Sequence, residues 1–453
     1  MATPTSSEPS TATEQPAPSE RPSGARGRRV LLATVAAQSI EYYDFLIYGT
    51  AATLALNSQF FPSVDPVVGV LAAFATFAVG FAGRPIGAAI FGHVGDTYGR
   101  KPALLGAILL MAVSTLLIGL LPTYAAIGVA APVLLTVMRV LQGISVGGQW
   151  GGATLLALEN APSNRRALYG SLPQLGVVVG MVGGTMVFLF ISGVTTAEQF
   201  AAWGWRIPFL LTVLMFPVAF VLHRYIEDTP EFRDAETKIE QRSRRSRSSV
   251  LQTLRAPKQM LLVVFGYLPA TITFYVIATG MLDYGTREVG LPKSTMLTAV
   301  MLSMIAFAVS TVGGAWISDV VGHRKVYAAG AALSGVWMFA LFPLVDTGNF
   351  GLIVLAASVG QVAVGLMFGP GTAIWAAMFA PSVRYAGVSL GTQISNIIGG
   401  GLAPFTMVAL LAATATTLSA SAYVAVAAVL SLIALALIRI PAPAATATAG
   451  GTS

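Results

Sequence analysis

Apolar runs of twenty or so residues, separated by short polar breaks, recur along almost the whole chain, the length needed to cross about 30 Å of hydrocarbon as a helix. The pattern predicts twelve membrane helices, over residues 30–56, 66–95, 102–121, 126–158, 165–192, 205–226, 257–285, 293–320, 325–345, 351–380, 384–413 and 416–438. The expected fold is therefore all-α and polytopic. The basic residues Arg26, Arg28 and Arg29 precede an apolar stretch as they would in a signal peptide. That stretch continues past Glu41 and Asp44 to Leu56 with no small-residue cleavage site, so it reads as an uncleaved first span.

Two of the polar breaks are alike. Asp96, Gly99, Arg100 and Lys101 interrupt the second and third runs, and Asp319, Gly322, His323 and Lys325 interrupt the eighth and ninth, 223 residues later. A second echo lies 219 residues apart, APSNR at 161–165 and APSVR at 380–384. Recurrence at one offset predicts two similar six-helix bundles joined in one chain. The longest internal polar stretch falls between them, giving a first bundle over 30–226, a linker over 227–256 and a second bundle over 257–438. Residues 1–29 and 439–453 have compositions expected to form disordered tails.

Composition agrees with a lipid solvent: 55% of residues are hydrophobic and only 10% are charged, too little polar surface to cover a soluble protein of 453 residues. The net charge of +7 needs no nucleic-acid partner, because the lysines and arginines collect in the breaks on the side of the N terminus, as cytoplasmic loops do, while the opposite loops hold only Arg287 and Lys293, with Arg206 nearby. Both termini are expected in the cytoplasm, with the chain multi-pass in the cell membrane. With no cysteine and three scattered histidines, the sequence offers no metal centre, and no glycine-rich phosphate loop follows a strand. Neither a cofactor nor a catalytic constellation is expected.

Several segments carry a resemblance. GHVGDTYGRK (92–101) and RVLQG (139–143) are similar to the loop and fourth-span motifs of the major facilitator superfamily. IEYYDFLIYG (40–49), GRPIGAAIFGHVGD (83–96), GISVGGQWGGA (143–153), GWRIPFL (204–210) and SLGTQISNIIGGGLAPF (389–405) resemble its metabolite:proton symporter branch, which includes shikimate, α-ketoglutarate, citrate and proline/betaine uptake systems. The resemblance spans about residues 30–415 and implies a twelve-helix fold and proton-driven uptake of a small organic solute. It also implies a coupling role for Arg139, Gln142 and Gly143. One position departs from it. Gln149, followed by Trp150, stands where resembling proteins commonly have an acid, and glutamine cannot carry a proton.

Charge inside a bilayer costs several kcal/mol unless it is paired, neutralised or hydrated, so ionisable residues within spans mark function. Glu41 and Asp44 lie about 17 to 21 Å into the first span, and their spacing of three puts both on one face. Two carboxylates that close repel in a low-dielectric cleft, which favours the protonated form of one. They are the expected proton-coupling pair, with Arg139 as the partner that protonation would release toward a carboxylate substrate; a fixed structural ion pair is the competing reading. Arg84, Tyr43, Gln142, Gln149, Trp150, Tyr275, Trp375, Gln393 and Asn396 are candidates to line the substrate cavity, with packing as their alternative. Asp96, Arg100, Lys101, Asp319, Arg324 and Lys325 are expected to gate, as charge latches at the cytoplasmic hairpins. The function expected is secondary active uptake of a small solute, with a carboxylate preferred, by proton symport through alternating access, in a chain that acts as a monomer. Export by the same fold, or sensing without transport, are the alternatives.

Overall fold

The computed structural model describes residues 24–62, 66–98, 100–149, 166–214, 257–379 and 384–438, and all regular structure among them is helical. The first half contributes α1 (Gly24–Ala51), α2 (Pro66–Tyr98), α3 (Arg100–Leu120), α4 (Ala130–Gln149), α5 (Ala167–Val194) and a shorter apolar α6 (Gly204–Leu214). The second contributes α7 (Pro257–Arg287), α8 (Lys293–Val321), α9 (His323–Asp346), α10 (Phe350–Ala377), α11 (Leu390–Thr414) and α12 (Thr417–Leu437). Nine of these, among the described residues, are long and apolar enough to cross a membrane on those criteria alone. The other three correspond to the first, third and sixth predicted spans.

Among the described residues most helices end near the predicted polar breaks, with one correction: α1 is helical from Gly24, six residues inside the stretch expected to be a disordered tail, and the expected ends at 158 and 226 lie outside the described residues. Between α8 and α9 the chain turns at Gly322, whose φ of 109° belongs to a region that side chains disfavour, so the glycine of the repeated motif is required by the turn itself. Large apolar side chains such as Phe190, Val309, Trp316 and Val336 stand exposed on the outer faces, as helices bathed in lipid allow and helices bathed in water do not.

Inside each half the same pairs meet. α1 packs on α5 as α7 packs on α11, α2 on α4 as α8 on α10, and α3 on α4 as α9 on α10. Small residues make the closest of these crossings possible: a Cβ on Gly143 of α4 would strike the carbonyl oxygen of Gly80 on α2, and one on Gly369 of α10 would come within 2.6 Å of the carbonyl oxygen of Thr311 on α8. The halves meet across α2 with α11 and α5 with α8, contacts that exchange under the same twofold relation. Three helices carry a π-turn: Ala52–Leu56 directly after α1, Val276–Gly280 within α7 and Asn396–Gly401 within α11.

Candidate functional site

The first-span acids face protein, as their cost in lipid demands. Asp44 is 0% exposed and Glu41 5%, on the face of α1 turned toward α2, α3 and α4. Their surroundings differ. Asp44 accepts hydrogen bonds on both oxygens, from the Thr115 hydroxyl of α3 on Oδ1 and from Gln142 Nε2 of α4 at 2.9 Å on Oδ2. Glu41 faces the Arg84 guanidinium of α2 at 4.0 Å.

Arg139 is itself 0% exposed, with its guanidinium 4.0 Å from the centre of the Tyr48 ring and its NH1 donating to Gln142 Oε1 at 2.6 Å. The spacing of three that places Arg139 and Gln142 one turn apart on α4 makes this contact. The expected direct pair of Arg139 with Asp44 or Glu41 is therefore corrected: the hydrogen bonds run Arg139 to Gln142 to Asp44, and Gln142 occupies the place between the two charges. An amide with one acceptor and two donor hydrogens can satisfy a cation on one side and an anion on the other.

Arg84 sits where the halves meet. Its NH1 donates to Gln393 Oε1 of α11 at 3.3 Å, and its guanidinium lies 4.6 Å and 4.3 Å from the ring centres of Phe45 and Phe81. Its buried Nε has no hydrogen-bond partner among the described residues. Tyr275, on α7 in the second half, contacts Phe77 and Phe81 of the first edge-on at 5.8 Å and 5.6 Å. Tyr42, Tyr267 and Tyr275 all lie within electrostatic reach of Arg84 and Glu41. Aromatic rings from both halves thus meet beside the charged residues, all four of which, Glu41, Asp44, Arg84 and Arg139, are buried.

Other expected cavity residues fall elsewhere. The Tyr43 hydroxyl donates to the Pro208 carbonyl at 2.8 Å, tying α1 to α6 within the first half. Trp375 packs in the second half, edge-on to Tyr327 at 5.2 Å and against Gly266. Asn396 is half-buried at the start of the α11 π-turn. Trp150 lies outside the described residues, and so do the side chains of Gln149, Asp96, Arg100 and Lys101.

Of the second hairpin, Asp319 alone reaches across among the described residues. Its two oxygens accept the backbone N–H groups of Ala167 and Leu168, each at 3.2 Å, at the start of α5 in the other half. Arg324 bonds the Ile438 carbonyl within its own half, and Lys325 is exposed. Two groups that the sequence did not single out complete the picture. Thr115 is one; Lys293 is the other, whose ammonium donates to the Leu54 carbonyl at 3.1 Å and so joins α8 to the π-turn after α1.

The family described as "Sugar (and other) transporter" matches residues 30–263. The chain is 37% identical over 388 residues to the shikimate transporter of Escherichia coli (strain K12), covering 85% of this chain and 88% of that one. It is 38% identical over 387 residues to the inner membrane metabolite transport protein YhjE of the same organism, covering 83% and 86%. In three dimensions it superposes on a crystal structure of a D-xylose-proton symporter with a TM-score of 0.71 at 16% identity, over 92% of this chain and 98% of that one. That likeness speaks to the fold.

Proposed function

The chain belongs to the sugar (and other) transporter family, within the major facilitator superfamily, and on that premise we propose that it takes up a small organic carboxylate by proton symport. It is a multi-pass membrane transporter and not an enzyme. The observation that carries the reading is the line Glu41, Arg84, Gln393, which runs from an acid through a guanidinium to a side chain of the opposite half.

Arg84 has five donors and uses few of them. Glu41 stands at the outer limit of ion-pair distance, Gln393 accepts at 3.3 Å and Nε has no partner among the described residues, so the guanidinium is poised to take a bidentate carboxylate. When Glu41 binds a proton its claim on Arg84 weakens and the substrate carboxylate takes its place. With Gln393 attached to the same guanidinium, the second half registers the exchange, and rocking of the halves carries solute and proton across. This moves the substrate contact from Arg139 to Arg84. Arg139 stays in the Asp44 network as a fixed positive charge, and Glu41, Asp44 and Arg139 together keep the coupling role.

The shikimate transporter among the relatives supports a small carboxylate as the solute, the inner-membrane relative supports a bacterial inner membrane as the location, and the lysines and arginines on the N-terminal side support cytoplasmic termini. The first bundle starts with α1 at Gly24 and runs to 226, the second spans 257–438, the basic segment 227–256 links them, tails cover 1–23 and 439–453, and a monomer is the working unit. Partners are the solute, protons and lipid; no nucleic acid is involved.

The test is uptake of labelled carboxylates, shikimate among them, and of betaines into proteoliposomes under an imposed inward pH step. The intact protein accumulates a carboxylate, Arg84→Lys loses at least about tenfold of that rate because an ammonium cannot form the fork, and Glu41→Gln exchanges solute without accumulating it. Accumulation indifferent to the pH step, or undiminished in Glu41→Gln, would remove the proposal. Lower internal solute on expression in cells would assign export instead.

A further inference from the structure

The hydrogen-bond arithmetic around Asp44 contains a choice that only one group can make. Arginine donates and never accepts, so the Arg139 contact at 2.6 Å fixes Gln142 with Oε1 toward Arg139 and Nε2 toward Asp44. The two amide hydrogens then go to Asp44 Oδ2 at 2.9 Å and to Thr115 Oγ1 at 2.7 Å. Thr115 therefore always accepts from Gln142. It has one hydrogen left and two acceptors within reach: Asp44 Oδ1, and the Met111 carbonyl one turn back on α3 at 2.9 Å.

We propose that Thr115 is the positioning residue that lets Asp44 exist in both protonation states inside a buried site, by swinging its hydroxyl hydrogen between Asp44 and the Met111 carbonyl. With Asp44 ionised, the hydroxyl donates to Oδ1, and the carboxylate holds one donor on each oxygen. When a proton arrives on Oδ1, that O–H donates to Thr115 Oγ1, which now accepts two hydrogen bonds, and the threonine hydrogen turns to Met111. One proton is gained, one hydrogen rotates about its C–O bond, no covalent bond of threonine breaks, and Thr115 and the Asp44 carboxyl keep hydrogen bonds in either state. On release the same steps run backward. The other ionisable groups facing Asp44 are Glu41 and Tyr43 on its own helix and Arg139 on α4, and none of them has this freedom: Arg139 only donates, Glu41 faces Arg84 and the Tyr43 hydroxyl is committed to Pro208.

The inference rests on the reading of Asp44 as part of the proton-loading pair, and infrared difference spectroscopy of the full chain in liposomes separates the two without needing a substrate. Between neutral and acid pH the intact protein should develop a protonated-carboxyl carbonyl band that Asp44→Asn removes. In Thr115→Val, which keeps the shape but lacks the hydroxyl, the band should move to higher frequency, because the carboxyl hydrogen has lost its acceptor. In Thr115→Ser it should stay in place. Uptake driven by a pH step should fall at least about tenfold in Thr115→Val, the scale of one hydrogen bond to a charged group, and recover in Thr115→Ser. Should Thr115→Val fail to reconstitute, Thr115→Ala gives the same comparison with no added bulk. A band sensitive to Asp44→Asn but unmoved by loss of the hydroxyl overturns the role of Thr115 alone. The absence of any such band overturns the proton-loading reading, and the inference with it.

Discussion

Gln142 stands between Asp44 and Arg139, two fully buried opposite charges in the first half's interior, and its amide is matched to both. Replacing it with leucine would leave a guanidinium and a carboxylate oxygen each short of a partner in a buried site, a loss of roughly 1 to 3 kcal/mol for each. Gln142→Leu is expected to lower the unfolding temperature of the purified protein and to cut proton-driven uptake by about a hundredfold or more, on the scale of about 3 kcal/mol. Uptake within twofold of the intact protein would show that Arg139 and Asp44 do not need the bridge. Part of this was legible beforehand: charges midway through an apolar run announce themselves, and Arg139 with Gln142 at a spacing of three share a helix face. Thr115 was not legible. A lone threonine in an apolar span carries no signal, and only the fold brings it to Asp44 from a helix that contributes no charge of its own to the network.

Among the elements, the small residues at the α2–α4 crossing are as consequential as the charges beside them. Gly143 lies one residue from Gln142, and its contact with the Gly80 backbone sets how near Gln142 comes to Asp44. A methyl there cannot be absorbed by a side chain turning away, because the obstacle is a carbonyl oxygen of a helix backbone. Gly143→Ala is therefore expected to cost about 1 to 3 kcal/mol of stability, read as a lower midpoint in thermal or denaturant unfolding, and to weaken uptake beyond that by displacing Gln142. Gly183, with open space where its Cβ would be, serves as the control, and Gly183→Ala should lower neither measurement. A sequence shows that glycines are frequent but not which of them touch a neighbouring backbone. The π-turns were hidden for a similar reason: ATLAL and VIATG look like ordinary apolar helix, yet their starts at Ala52 and Val276 are 224 residues apart, close to the spacing of the repeated hairpins. An extra residue in a turn changes backbone hydrogen bonding without changing hydropathy, so no period in the side chains reports it.

Taken as a whole, the molecule is two copies of one bundle pinned together at opposite ends and bridged in the middle. The duplication and the helix count follow from hydropathy and the two Asp-x-x-Gly hairpins, whereas the joining of the halves depends on contacts between residues far apart in the chain, Asp319 with Ala167 and Leu168, Lys293 with Leu54, and Arg84 with Gln393. If these are the latches of alternating access, breaking one end should open that end only. Asp319 holds two N–H groups at the start of α5, where the partial positive charge of a helix terminus adds to the bonds, and its loss should shift the balance between states by roughly 1 to 3 kcal/mol. The chain has no cysteine, so a single one placed at Phe81, between the halves and beside Arg84, reports access without background. On the proposed orientation, Asp319→Ala should raise its labelling by a membrane-impermeant thiol reagent about tenfold from the cytoplasmic face and leave the outer face unchanged. Lys293→Met should do the reverse, because the contact it removes lies at the far end of the bundle. Both substitutions opening the same face would contradict latches at opposite ends. Faces interchanged between the two would keep the latches and invert the topology, and labelling unaltered by either would mean that the central rings, not the ends, hold the halves closed.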